Sequence, residues 1–203
     1  MPTKNLSVKP VLDAPPSWDD HVRDLLFLLG ENPDREGLRE TPRRVREAWQ
    51  ESCRGYSVDV ATLIKTFAHD DRSEELVSVT NIPVYSHCEH HLLPFFGVAH
   101  VAYEPAGRVL GLSKIARIVQ AFATRLQVQE RLTAQIADAI WTHLAPHGVS
   151  VVVVCRHLCV ELRGVKARGV ATRTSAVRGA AAQKSEQYAD FLAEIRRHEG
   201  PGF

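Results

Sequence analysis

Apolar residues recur along this chain with two periods, and the changes between them mark out the elements. Trp18, Val22, Leu25, Leu26 and Leu29 share one helical face, with Ser17 placed as the N-cap and Gly30 as the stop. The polar stretch from Asn32 to Glu40 predicts a loop. Thr41-Pro42 predicts a helix start: a capping hydroxyl, then a proline whose missing N–H costs nothing there. Val45 and Trp49 give that helix its apolar stripe. Leu76 to Ser86 alternates in part and is rich in Val, Thr and Ile, which predicts a strand, and Phe96 to Tyr103 has strand composition too. A turn over Glu104-Pro105-Ala106-Gly107 follows.

Helical spacing returns after Ser113, placed as a cap, with Ile115, Ile118, Val119 and Phe122. It returns again from near Gln127, where Val128, Leu132, Ile136, Ile140 and Leu144 stand four apart until Pro146 and Gly148. Val149 to Leu162 predicts a strand that opens with the buried run Val151 to Val154, and Thr172 to Val177 predicts another. Ser185 is placed to cap a last helix, with Tyr188, Phe191, Leu192 and Ile195 on one side. Strands and helices in segregated blocks predict an α+β fold with antiparallel pairing. Residues 1–16 hold four prolines and no period, which predicts a flexible arm. Residues 17–75 then form a helical N-terminal region, and 76–203 the domain that carries the chemistry.

Composition narrows the function classes. The chain has 203 residues, 24% charged and 44% hydrophobic, as in an ordinary globular protein. At this length about 70% of the unfolded surface can be buried, enough for one core without staples. Lys and Arg total 25 against 24 Asp and Glu, a net charge of +1. That balance argues against nucleic-acid or membrane partners, so an anionic ligand would need a local basic cluster. No apolar run reaches the roughly 18 residues of a membrane span, and the first 16 residues lack a secretory pattern. The expected compartment is the cytoplasm. There, Cys53, Cys88, Cys155 and Cys159 are expected as thiols or metal ligands rather than a disulfide frame.

The densest chemistry lies in Ser86-His87-Cys88-Glu89-His90-His91, just after a predicted strand. Cys88 and His91 are separated by two residues, a spacing that lets one turn offer both to a zinc ion. A His-rich turn alone is often merely solvated. A second cluster changes the balance: in His157-Leu158-Cys159-Val160-Glu161-Leu162-Arg163 the apolar and polar residues alternate. A strand there would point Leu158, Val160 and Leu162 into a core, and His157, Cys159, Glu161 and Arg163 the other way. The bland alternative is a half-exposed strand with an incidental cysteine. Cys88, His91 and Cys159 make a set of two thiolates and one imidazole, which leaves the fourth position of zinc open to water, the catalytic arrangement. Zinc held so lowers the pKa of its water to about 7. His90 is then spare for acid–base work. Cys155 is the alternative fourth ligand, which would make the zinc structural. It lies two pleats, roughly 7 Å, from Cys159 along a strand. Cys53, in a helical segment, is expected as a plain thiol.

Gly111-Leu112-Ser113-Lys114-Ile115-Ala116-Arg117 puts Lys114 in the first turn of a helix, with Arg117 three residues on. A cation there opposes the helix dipole, and a bound anion held by free N–H groups, the Ser113 hydroxyl and both cations is one reason to place it. A solvated lysine is the equal alternative. Glu130 suits a first turn for its own sake, and its carboxylate can also accept two parallel donors, such as the N1–H and amine of guanine.

These segments also carry a resemblance. Cys88-Glu89-His90-His91, the run from Gly111-Leu112-Ser113-Lys114 through Gln127-Val128-Gln129-Glu130-Arg131-Leu132-Thr133, and His157-Leu158-Cys159 with Arg163-Gly164-Val165 make the chain resemble GTP cyclohydrolase I. The similarity runs from about Trp18 to about Arg197. It implies the tunnelling fold, an antiparallel four-stranded sheet carrying two antiparallel helices behind helical N-terminal elements. It implies a homo-oligomer, a decamer of two pentameric rings with active sites between subunits. It implies zinc on Cys88, His91 and Cys159, and proton handling by His90, His157 and Ser113. Glu130 would hold guanine, with Gln129 in the substrate-binding set. Ser113, Lys114, Arg117 and Arg163 would contact the triphosphate. Arg44 is a weaker candidate, because Glu47 stands where some relatives carry a basic residue.

The implied reaction converts GTP and water to formate and 7,8-dihydroneopterin triphosphate, the first step of tetrahydrofolate and pterin synthesis. Two rival expectations remain. One is a non-catalytic, zinc-stabilised oligomeric scaffold that binds a nucleotide and needs Cys155 as a fourth ligand. The other is a pterin-processing relative acting on the triphosphate product.

Overall fold

The computed structural model describes residues 17–68, 76–179, 181 and 186–198. The predicted N-terminal arm and the Ser185 cap lie outside the described residues. The chain divides into two compact units, Met1–Glu51 and Ser52–Phe203.

The first unit holds α1 (Trp18–Leu28) and α2 (Thr41–Ser52). Ser17 caps α1 reciprocally: its hydroxyl accepts from the Asp20 N–H, and the Asp20 carboxylate accepts from the Ser17 N–H. Such a capping box satisfies two donors that the helix leaves orphaned. The predicted loop contains a single 3₁₀ turn, Glu36–Leu38. Arg46 of α2 pairs with Asp19 of α1 at 2.7 Å, and Arg43 is held between Glu40 and Glu47. Only Val22 of the predicted α1 stripe is buried, while Leu25 and Leu29 stay exposed.

The second unit is built on two sheets. A small one pairs β1 (Thr66–Ala68) with β4 (Arg108–Leu110). The large one contains β2 (Val77–Cys88), β3 (Pro94–Glu104), β5 (Leu126–Gln127), β6 (Gly148–His157) and β7 (Ala171–Gly179). Its order is β5-β2-β3-β6-β7, antiparallel throughout except for the short parallel β5–β2 pair. The architecture is α+β, as expected, with a fifth short strand in the main sheet. Strands as short as β1, β4 and β5 leave too few residues to show a period.

Helices cover both faces of this sheet. α3 (Leu112–Ala123) and α4 (Gln129–Leu144) bury Ile115, Ile118, Leu132, Ile136 and Ile140 against Val84, Phe95, Val151 and Val153. Full burial of each such side chain contributes about 1.5–3 kcal/mol. On the opposite face, α6 (Glu186–His198) packs Tyr188, Phe191 and Ile195 against Ala102, Val152 and Val154. β6 is thus covered on both sides, which accounts for its unbroken valine run. β7, at the edge, alternates exposed and half-buried residues instead. Between β3 and β6 the backbones meet at Gly97, where a Cβ would fall onto the Val154 carbonyl oxygen.

Three boundaries depart from the sequence reading. α3 starts at Leu112 with Gly111 as its N-cap, so Ser113 lies inside the first turn and does not cap it. α4 starts at Gln129, because Gln127 is drawn into β5 beside Cys88. β6 ends at His157, and Leu158–Glu161 forms a helical turn, α5. The alternation from Leu158 to Arg163 is therefore not a strand: Leu162 is 63% exposed and Glu161 only 8%. The helical turn lets Glu161 reach back to Arg156, which donates to both carboxylate oxygens at 2.7 and 2.6 Å.

Candidate metal and substrate site

Two strand ends supply the site. β2 runs out at Cys88 into a turn closed by its own backbone. The Cys88 N–H donates to Leu93 O at 2.9 Å, and the His91 and Leu92 N–H groups donate to Cys88 O at 3.3 and 2.8 Å. Leu92 takes the left-handed conformation, φ 55°, to finish the turn. From the other side, the α5 turn delivers Cys159.

The ligand atoms of Cys88, His91 and Cys159 all lie within 4.8 Å of one another. Cys88 is buried, Cys159 half-buried and His91 exposed, so the cluster opens to solvent on the histidine side. Burial, with the neighbouring Cys88 sulfur, holds the Cys159 thiol above its usual range, and Arg163 offsets part of this. Two sulfurs this close resist joint ionisation, and a divalent cation between them relieves that repulsion. The donor set therefore fits a zinc ion.

Cys155 does not belong to this cluster. It is fully buried in the core under α3 and α4, where burial pushes its thiol up to about 12. Cys53 is a half-buried thiol at the head of a 3₁₀ turn, also raised by burial.

His90 and His157 flank the cluster differently. His90 is exposed, with Nδ1 3.8 Å from the Cys88 sulfur and Nε2 3.9 Å from a Glu89 oxygen. His157 is half-buried and stacks on Phe95, ring centroids 4.6 Å apart. Burial lowers its pKa, and the charge of Glu130 opposes part of that shift. Its Nε2 lies 2.8 Å from the Gln129 Oε1. The Gln129 amide nitrogen donates at 3.0, 2.9 and 3.2 Å to Val153 O, Thr172 O and the Thr174 hydroxyl. With nitrogen committed to those acceptors, the amide oxygen faces the ring, and His157 Nε2 must carry the proton.

Gln129 is 1% exposed, so its side chain is occupied inside the protein. Glu130, the next residue, is exposed in the first turn of α4. Ser113, Lys114 and Arg117 sit together at the start of α3, with Lys114 half-buried and the other two exposed. Arg163 is exposed just beyond α5. Arg44 is exposed on α2, in the N-terminal unit.

The sequence reading missed Phe95 and the Arg156–Glu161 pair. Phe95 is a register partner of His157, which only the strand pairing reveals. Arg156 and Glu161 stand five apart, a distance that joins side chains only once the strand has become a turn.

Comparison with known proteins agrees with this geometry. The family model described as GTP cyclohydrolase I matches residues 18–196. The chain is 53% identical over 176 residues to GTP cyclohydrolase 1 of Nitrosospira multiformis, covering 86% of this chain and 92% of that one. It is 51% identical over 180 residues to the Corynebacterium glutamicum enzyme of that name, covering 87% and 91%. A crystal structure of the archaeosine synthase QueF-Like in its apo form is similar at TM-score 0.43 and 22% identity, covering 53% of this chain and 97% of that one. A family match across nearly all described residues, with relatives at about half identity, decides the question: the chain belongs to the GTP cyclohydrolase I family.

Proposed function

We propose that this GTP cyclohydrolase works through a single zinc ion on Cys88, His91 and Cys159, with His90 and His157 moving protons. The convergence of those three ligand atoms within 4.8 Å, from two separate strand ends, carries the reading. Bound there, zinc would supply an activated water for hydrolysis at C8 of the purine. His90 protonates N7, which makes C8 more electrophilic. His157, with Nε2 pinned by Gln129, offers Nδ1 as the acceptor for later transfers, and the exposed Ser113 hydroxyl assists. The Glu130 carboxylate accepts the N1–H and amine of guanine. Lys114, Arg117, Arg163 and Ser113 hold the triphosphate, with Arg44 a weaker contributor.

One water opens the imidazole ring to a formamide, and a second releases C8 as formate. The ribose opens, rearranges and recloses on the freed amines with loss of one water. GTP plus one net water gives formate and 7,8-dihydroneopterin triphosphate.

The same reading takes the unit as a tunnelling fold in a cytoplasmic homodecamer of two pentameric rings. The exposed Leu25, Phe27 and Leu28 of α1, with Leu29 at its C-cap, support an oligomer, since a lone chain leaves that apolar surface in water. No helix among the described residues is long and apolar enough to cross a membrane.

Incubation of purified, zinc-loaded protein with GTP should yield formate and, after oxidation, a fluorescent pterin. Failure to release formate would refute the reading. Cys155→Ser should keep its zinc, because that sulfur is sealed in the core; metal loss there would favour the closed-site scaffold instead.

A further inference from the structure

The turn that carries Cys88 and His91 is gripped from outside by a side chain with no part in the proposed chemistry. Arg131, in the first turn of α4, donates through Nη2 to the Glu89 carboxylate and to Leu126 O, the latter at 3.1 Å. Its Nε donates to the Gln127 Oε1 at 3.0 Å. Gln127 is 1% exposed, and its amide nitrogen is held by Phe122 O and the Gln135 Oε1 at 3.0 and 2.9 Å. Gln127 O in turn accepts the Glu89 N–H at 3.0 Å, and Cys88 is its register partner across β5. Glu89 thus lies between the two metal ligands of the turn, tied by its backbone to β5 and by its carboxylate to Arg131. A guanidinium in a first turn works against the helix dipole. Its placement here is explained by the carboxylate it faces.

We propose that Arg131 is a positioning residue for the metal: through Glu89 it fixes the Cys88–His91 turn in its ligating conformation before metal arrives. This rests on the assignment of Cys88, His91 and Cys159 as the zinc ligands. Groups that orient metal ligands in this way typically cost 10- to 100-fold in metal affinity when removed. A pair of ordinary surface charges would have no effect on affinity.

The test is a double-mutant cycle read by zinc affinity, using the full chain and competition with a chromophoric chelator. Arg131→Gln and Glu89→Gln should each raise the zinc Kd about 10- to 100-fold. The double variant should bind no more weakly than the worse single one, because the two act as one unit. Arg131→Lys should recover part of the loss. Thermal unfolding of the metal-free proteins should change little, which separates a positioning role from general destabilisation. Unchanged zinc affinity in both single variants, or losses that simply add, would overturn the proposal. So would metal-free unfolding that falls in step with affinity. Wild-type protein that bound no zinc would instead overturn the ligand assignment itself.

Discussion

The two strand ends that meet at the metal cluster combine main-chain closure and an ion pair in different ways. At the end of β2 the chain closes on itself through main-chain hydrogen bonds, with Cys88 both donor and acceptor. At the end of β6 the main chain forms one helical turn, and the Arg156–Glu161 ion pair ties that turn back to the strand through a carboxylate side chain only 7% exposed. The main-chain closure of the β2 turn does not depend on side-chain charge, and the Arg131–Glu89 pair adds a grip from outside it. A turn held by a partly buried ion pair loses its grip when one partner loses its charge. Cys88 and His91 therefore sit on a turn held by main chain and by an ion pair to α4, and Cys159 on a turn whose ion pair is internal to the β6 end.

The largest effect tests whether both ends are needed. Cys88→Ser and Cys159→Ser should each strip the metal and cut turnover on the order of 10³-fold or more. Metal analysis beside formate release checks this, and a variant with full turnover and no metal would end the zinc assignment. Next come the two histidines. His157→Ala and His90→Ala should keep metal and lose roughly 10²–10⁴-fold in rate, the usual worth of a general acid or base. If His90→Ala turned over normally, the proton work would fall to the β6 end alone.

The smallest effect separates the supports. Arg156 holds the Glu161 carboxyl below the usual carboxylate range. A carboxyl depressed in the folded state adds stability above its unfolded pKa, and that stability drains away as pH falls through the folded value. Melting temperature should therefore fall in acid more steeply for the native chain than for Glu161→Gln, whose curve starts lower at neutral pH. Parallel curves would show that the pair contributes nothing, and the contrast between the two ends would collapse.

Most of the frame was legible in the sequence because long elements repeat their period several times. The four-residue spacing of Leu132, Ile136, Ile140 and Leu144 and the valine run of β6 correspond to observed elements. The three metal candidates, which the structure brings together, were legible because the Cys-x2-His spacing and the polar run from His157 to Arg163 are local features. What stayed hidden depends on tertiary pairing. The alternation after His157 mimics a strand over six residues, too few to exclude a turn, and the ion pair that accompanies the turn is invisible until the chain has folded. Gln129 was legible only through the resemblance, as part of the run from Gln127 to Thr133. Its occupation by the sheet and by His157 follows from where α4 docks on β6 and β7.

Gly97 separates two meanings of intolerance. No side chain fits there, because the neighbouring strand's carbonyl already fills the space a methyl would need. A complete survey of substitutions would score that position as harshly as a zinc ligand, though it handles neither proton nor nucleotide. Only a readout of folding, set beside one of turnover, would distinguish this tight seam of the scaffold from the residues that do the chemistry.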